Sequence, residues 1–110
     1  MGFDSGTNTV AYILTATLLL VVIVNQLAAA GSIRRNGFIG IRIPPTMASD
    51  GGWPAGHGAA SAPMWIGFVV TAFAAAFAQF SAVGGIPCIV VFALTLAWSL
   101  VAAWRGAGRS

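Results

Sequence analysis

Few residues in this chain could do chemistry, and most of them are gathered in one stretch. Arg34 to His57, RRNGFIGIRIPPTMASDGGWPAGH, holds three of the five basic residues, the only histidine, one of the two acids and three of the five prolines. Arg42 offers a planar fork of N–H donors that suits a carboxylate or phosphate, or serves as a positive anchor beside a membrane. Asp50 is a candidate partner for Arg42 in an ion pair that would close the loop. His57 carries the side chain that titrates nearest neutral pH, which fits a proton relay or a structural donor. Asp50, His57 and the nearby serines form no nucleophile–base pattern, and no cofactor fingerprint occurs. No set of Cys, His and acidic residues has metal-ligand spacing. The single cysteine, Cys88, excludes an internal disulfide and is expected to be inert packing. The chain is therefore not expected to be an enzyme, and no cofactor or metal is expected.

The elements that position this stretch are read from composition. The chain has 110 residues, of which 58% are hydrophobic and only 6% charged, and its mean hydropathy is +0.90. Soluble domains carry roughly 25% charged residues, so this set cannot build a water-facing surface, and the bilayer is the expected solvent. The net charge of +3 comes from arginines beside apolar runs. That placement sets membrane orientation rather than marking a nucleic-acid surface.

Three apolar runs are long enough to cross. A helix of about 20 residues rises roughly 30 Å, the thickness of the hydrocarbon core. The first run covers residues 9–29 and shows no polar stripe along its centre. It lacks the basic n-region of a secretory signal and is longer than an ordinary signal core, so it is expected to be retained despite the small residues from Leu27 to Gly31. The second run is expected over residues 63–83, opened by Pro63 at a position that needs no helical N–H. Phe73, Phe77 and Phe80 share one face, expected to meet lipid, while Ala72, Ala75, Ala76 and Gln79 share another, expected to pack inward. Gly84–Gly85–Ile86–Pro87 reads as a tight turn. The third run covers residues 88–104, with the tail from Gly106 to Ser110 expected to fray. The fold class is all-α: one membrane domain of three transmembrane helices, with a long ordered loop over residues 31–62.

Three polar side chains fall inside the spans. Gln79 lies near the depth of Tyr12 or Thr15, its candidate partners. Asn25 and Gln26 lie near Ser99 and the loop. Each either ties helices together or lines a path for a small solute in a homo-oligomer. Orientation follows from the arginines: Arg34, Arg35 and Arg42 follow the first span, and Arg105 and Arg109 follow the third. With three spans all five lie on one side, which places the loop and C-terminus in the cytoplasm and the N-terminus, with Asp4, outside. The inner membrane of a bacterium is the expected location.

The loop is too long to be structureless and too apolar to be disordered, because Phe38, Ile39, Ile41, Ile43, Met47 and Trp53 would stand in water. It is expected to lie back on the membrane face, with its arginines toward anionic headgroups and Trp53 as an interfacial anchor. Asn36–Gly37 reads as a turn and Gly40 as a point of close backbone approach. Pro44–Pro45 is expected to force non-helical backbone. Thr46 or Ser49 is a candidate cap for a short helix carrying Asp50, Trp53 and His57 on one side.

Asn36, Gly40–Ile41–Arg42, Pro44, Thr46, Ser49–Asp50, Trp53 and His57 together resemble the signature of the SdpI-like bacterial membrane protein family. The resemblance covers this loop closely and the flanking spans only as generic apolar helices. It implies that these residues form the recognition site. It also implies an immunity-like or signalling role, since the founding member protects cells from a secreted toxin and is linked to sequestering a repressor at the membrane. A protein partner at the loop is the corresponding expectation. Ile43, Pro45 and Gly58 depart from the pattern, where a threonine, a tryptophan and a basic residue are usual. Gly51, Gly52, Pro54 and Gly56 are expected to weaken the helix that presents the acid, tryptophan and histidine.

Overall fold

The computed structural model describes residues 5–80 and 85–108, with side chains from residue 9 onward. Four helices follow in order: α1 (Ser5–Ala29), α2 (Pro44–Met47), α3 (Gly52–Ala78) and α4 (Gly85–Gly108). Three of them, α1, α3 and α4, are long and apolar enough to cross a bilayer. The protein is therefore an all-α, multi-pass membrane protein. Asp4, Val83, Gly84 and Arg109, on which parts of the orientation, span and turn readings rest, lie outside the described residues.

α1 ends as its sequence dictates. Gly31 takes a φ of +88°, and the N–H groups of Gly31 and Ser32 donate back to the carbonyls of Ala28 (3.2 Å) and Leu27 (2.9 Å). This double closure needs a left-handed residue at the turn, which glycine adopts at no steric cost. It releases the chain sideways, toward the loop.

Two expectations about proline are corrected. Pro63 does not open a helix: α3 starts at Gly52 and Pro63 is buried in its interior. Helices that pack against neighbours in a membrane tolerate such a proline because surrounding groups compensate for the lost bond. Likewise Pro44–Pro45 does not exclude helix but begins the single turn of α2. The fixed φ of proline suits a first turn, where a backbone N–H would have had no helical partner. The connection between α1 and α3 is thus residues 30–51, with α2 inside it, rather than 31–62. At the other end α4 already begins at Gly85, so Gly85–Ile86–Pro87 are helical and not the expected turn, and it runs on through Gly106 to Gly108, so that part of the tail does not fray.

The glycines at the start of α3 do not weaken it either, because they permit contact. A Cβ at Gly56 would lie 2.6 Å from Thr46 and 3.1 Å from the Ala103 carbonyl. Farther along, a Cβ on Gly67 would overlap Thr95, and one on Gly106 would overlap Ala59. Small residues let helix backbones approach closely in lipid, where dispersion replaces the hydrophobic effect. The loss of helix propensity at glycine is offset by that approach. Hence α3 is the central helix, packed most extensively on α4, then on α1, while α1 and α4 share a shorter seam.

The outward faces follow the sequence in part. Phe73, Phe77 and Phe80 all point away from the bundle, as a lipid-facing row should. The alanine face is corrected: Ala75 and Ala78 are buried but Ala76 points outward. At about 100° per residue, Ala78 returns to the side of Ala75, whereas Ala76 does not. Tyr12 OH donates to Gln79 Oε1 (2.8 Å), joining α1 to α3 as expected. Thr15 instead bonds the Ala11 carbonyl within its own helix. Cys88 is buried beside Ala11, Ala75 and Ala78.

Candidate functional site

The loop is organised by three side chains that bond its backbone. Asn36 begins the fold of the chain: its Oδ1 accepts the N–H groups of Phe38 (2.8 Å) and Ile39 (2.9 Å), while Nδ2 donates to the Arg34 carbonyl (2.7 Å). An Asx side chain that mimics a backbone turn is a common device at such positions. The next residues then arrive at Gly40, with φ +103°. A Cβ there would stand 2.7 Å from the Trp53 ring and 3.0 Å from His57 Nε2. Both the conformation and the space demand glycine.

His57 is the hub. The Ile41 N–H, which can only donate, points at His57 Nε2 from 2.8 Å. Nε2 must then hold a lone pair, so the ring proton sits on Nδ1, where it donates to the Trp53 carbonyl (2.7 Å). The ring is neutral, fully buried and bonded at both nitrogens. Its backbone carbonyl accepts from Asn25 Nδ2 of α1 (2.9 Å), with Ser61 Oγ nearby at 3.4 Å from the same nitrogen. One residue thereby ties the loop, α3 and α1 together.

Trp53 lies against this ring, 4.3 Å between centroids, and is only 2% exposed. It is not the interfacial anchor that composition suggested. Its Nε1 donates to the Ile33 carbonyl (2.9 Å), so the indole clamps the start of the loop onto α3. A buried indole N–H needs such a partner, and the backbone supplies it.

Thr46 closes the other side. Its hydroxyl donates to the Ile41 carbonyl (2.6 Å) and accepts from the Ile43 N–H (3.1 Å). It is a member of α2, not a cap for α3; the N-cap of α3 is Gly51, which makes no side-chain cap bond, while Ser49 Oγ accepts the Gly52 N–H (2.8 Å). Held at both its N–H and its carbonyl, Ile41 drops its side chain into the core with Val22, Ala60, Met64 and Ala103, and the half-buried Ile43 packs against the same cluster. The loop is a plug with its own knob.

The charged pair differs from the expectation. Asp50 pairs with Arg35 (3.1 Å) and not with Arg42, and Asp50 is 93% exposed. Arg35 also donates to the Met47 carbonyl (3.0 Å), which brings it to the acid. Arg42 Nη1 donates to the Gly37 carbonyl (2.6 Å) across the turn, and the rest of the group is exposed. Asp50 does not share the face of Trp53 and His57, so no acid–histidine pair forms. The signature positions therefore split: Asn36, Gly40, Thr46, Ser49, Trp53 and His57 hold the backbone, whereas Arg42, Pro44 and Asp50 are at the surface. Phe38, Ile39 and Met47 share that surface, and Phe38 is 89% exposed.

Between the loop and the helices lies a cleft of about 490 Å³. Asn25, Ile41, His57, Met64 and Ser99 line it, with Arg42 at the loop end and Leu20, Leu96 and Leu100 along its sides. Gln26 is half-buried next to it on α1 but does not line it. Sequence reasoning placed Ser99 near Asn25 and missed Ser61 and the Ile33 and Ile41 backbone groups. No side-chain pattern announces a backbone partner.

Fold and site together define a small helical membrane protein with a prefolded loop plugged into one end of its bundle. The model of the SdpI/YfhL protein family matches residues 32–103, and the chain belongs to that family. No curated protein and no solved structure shows a significant match.

Proposed function

We propose that the protein acts without catalysis, by recognition at this loop, in an immunity-like or signalling role. One observation carries the reading. Asn36, Thr46 and His57 direct their bonds to loop backbone, and the product is an ordered surface bearing Phe38, Ile39 and Arg42. A preordered surface of exposed aromatic, aliphatic and arginine groups favours partner binding, because little entropy is lost on contact. The exposure of Asp50 and the double engagement of His57 leave neither placed for proton transfer. Family membership supports immunity as the particular role, with a protein at the loop as partner. The inner membrane, with loop and C-terminus cytoplasmic, is the location that the arginines favour.

The test is survival. Cells expressing the chain are challenged with the sporulation-delaying toxin, and the double variant Phe38→Ser, Ile39→Ser is compared at equal membrane abundance. Protection by the parent and its loss in the variant supports the reading. Equal protection by both would sink it. Sidedness is checked separately with Ala48→Cys in a Cys88→Ser background: the exposed position 48 is expected to resist an impermeant thiol reagent in intact cells and to react after lysis.

A small-solute transporter, an oligomer with Asn25, Gln26 and Gln79 along its path, is the alternative, and an accessory subunit of a larger complex is another. The bonds from Asn25 to the His57 carbonyl and from Tyr12 to Gln79 favour helix-tying roles for two of those three residues.

A further inference from the structure

The cleft beneath the loop carries two polar atoms that the fold leaves without a partner. Asn25 is 2% exposed and Ser99 is 1% exposed, and both line the cleft. Asn25 Nδ2 must face the His57 carbonyl, which can only accept, so Oδ1 is turned the other way. Among the described residues, neither that Oδ1 nor Ser99 Oγ has a hydrogen-bond partner. A buried acceptor left unmatched is costly, and neither residue is among the signature positions named above. Both atoms belong to residues that line the cleft.

The position of the cleft says what can reach it. α3 forms the floor through His57 and Met64, α1 and α4 form the sides through Leu20, Val24, Leu96 and Leu100, and residues Ile39 to Ile43 close one end. The open side therefore faces outward between two membrane-crossing helices, where acyl chains are the solvent. At the closed end stands the Arg42 guanidinium, with one nitrogen engaged by the Gly37 carbonyl. An apolar slot beside lipid, a cation at its loop end, and a buried acceptor and hydroxyl on residues of its lining describe one kind of occupant.

We propose that the cleft binds one anionic phospholipid with a hydroxyl-bearing headgroup. Its phosphate lies against Arg42, a headgroup hydroxyl donates to Asn25 Oδ1 or meets Ser99, and one acyl chain runs along Leu20, Val24, Leu96 and Leu100. This deepens the recognition reading; it shares Ile39 and Arg42 with the outer surface but not Phe38, so the two can fail separately.

The full-length chain in a neutral detergent is titrated with phosphatidylglycerol or phosphatidylcholine vesicle lipids, and retained lipids are counted by native mass spectrometry. One phosphatidylglycerol is expected to be held about fivefold more tightly than phosphatidylcholine, the worth of one arginine near an anionic headgroup. Arg42→Gln should remove that preference. Ser99→Leu should lower retention of both lipids by filling the cleft. Leu100→Trp at the cleft's exposed rim gives the same blockage without a buried change, should Ser99→Leu fail to fold. Phe38→Ser should leave retention unchanged even if it abolishes protection from toxin. Equal retention of the two lipids by the parent, or full retention by both filled variants, would overturn the proposal.

Discussion

The two ends of this bundle are held by different forces. At the loop end, directional bonds from Asn36, Thr46, Trp53 and His57 set the backbone, and only then does Ile41 reach the cluster of Val22, Ala60, Met64 and Ala103. At the far end Ala11, Ala75, Ala78 and Cys88 form a cluster of small side chains. A polar contact there, Tyr12 to Gln79, lies on the outside, with Tyr12 58% exposed. Lipid-facing helices can be joined by small residues with little polar help. A stretch of non-helical backbone at the end of a membrane bundle cannot, because each buried N–H and carbonyl there needs a named partner. The composition contrast between the loop and its flanks has that origin.

The sharpest way to break the loop end is Gly40→Val. The side chain would combine a forbidden φ with overlap of Trp53, displacing the ring that holds both Ile33 and His57. A loss of about 4 kcal/mol or more is expected from strain and overpacking together, read as denaturant unfolding in micelles and as new protease cleavage between residues 31 and 51. Stability close to the parent would show that the loop is not fixed by this contact.

His57→Phe is milder in shape but leaves the Ile41 N–H and the Trp53 carbonyl without the ring. About 2–3 kcal/mol is expected, against about 0.6 kcal/mol for Gln79→Leu at the other end. The same unfolding assay measures both. Similar costs for the two changes would erase the distinction between the ends.

Much of the fold was legible in the sequence, and the reason is periodic burial. The first span reads to its last residue because no charge interrupts it and Gly31 ends it. The second was read from Pro63 rather than Gly52 because local rules count glycine and proline as losses, while close packing on Thr46, Ala103 and Ala107 turns Gly56 into a gain. The candidate residues were also legible, yet their direction was not. Trp53 and His57 look like interfacial and titratable groups in a linear reading; only the fold shows them facing inward to meet Ile33 and Ile41. Arg35, Arg42 and Asp50 illustrate the same limit. Arg42 reads in the sequence as the partner of Asp50, but in the fold Arg42 bonds the Gly37 carbonyl and Arg35 takes the acid.

The length of α3 ties the loop to the bilayer. The helix has 27 residues, about 40 Å at the usual rise, against roughly 30 Å of hydrocarbon. It either tilts or stands proud of the membrane by some turns, and a thinner bilayer increases whichever it does. Trp53 and His57 belong to the first turns of that helix, so the loop has no joint between itself and the span. Its height above the headgroups is set by the inclination of one rod. A change in bilayer thickness therefore acts directly on the position of the loop.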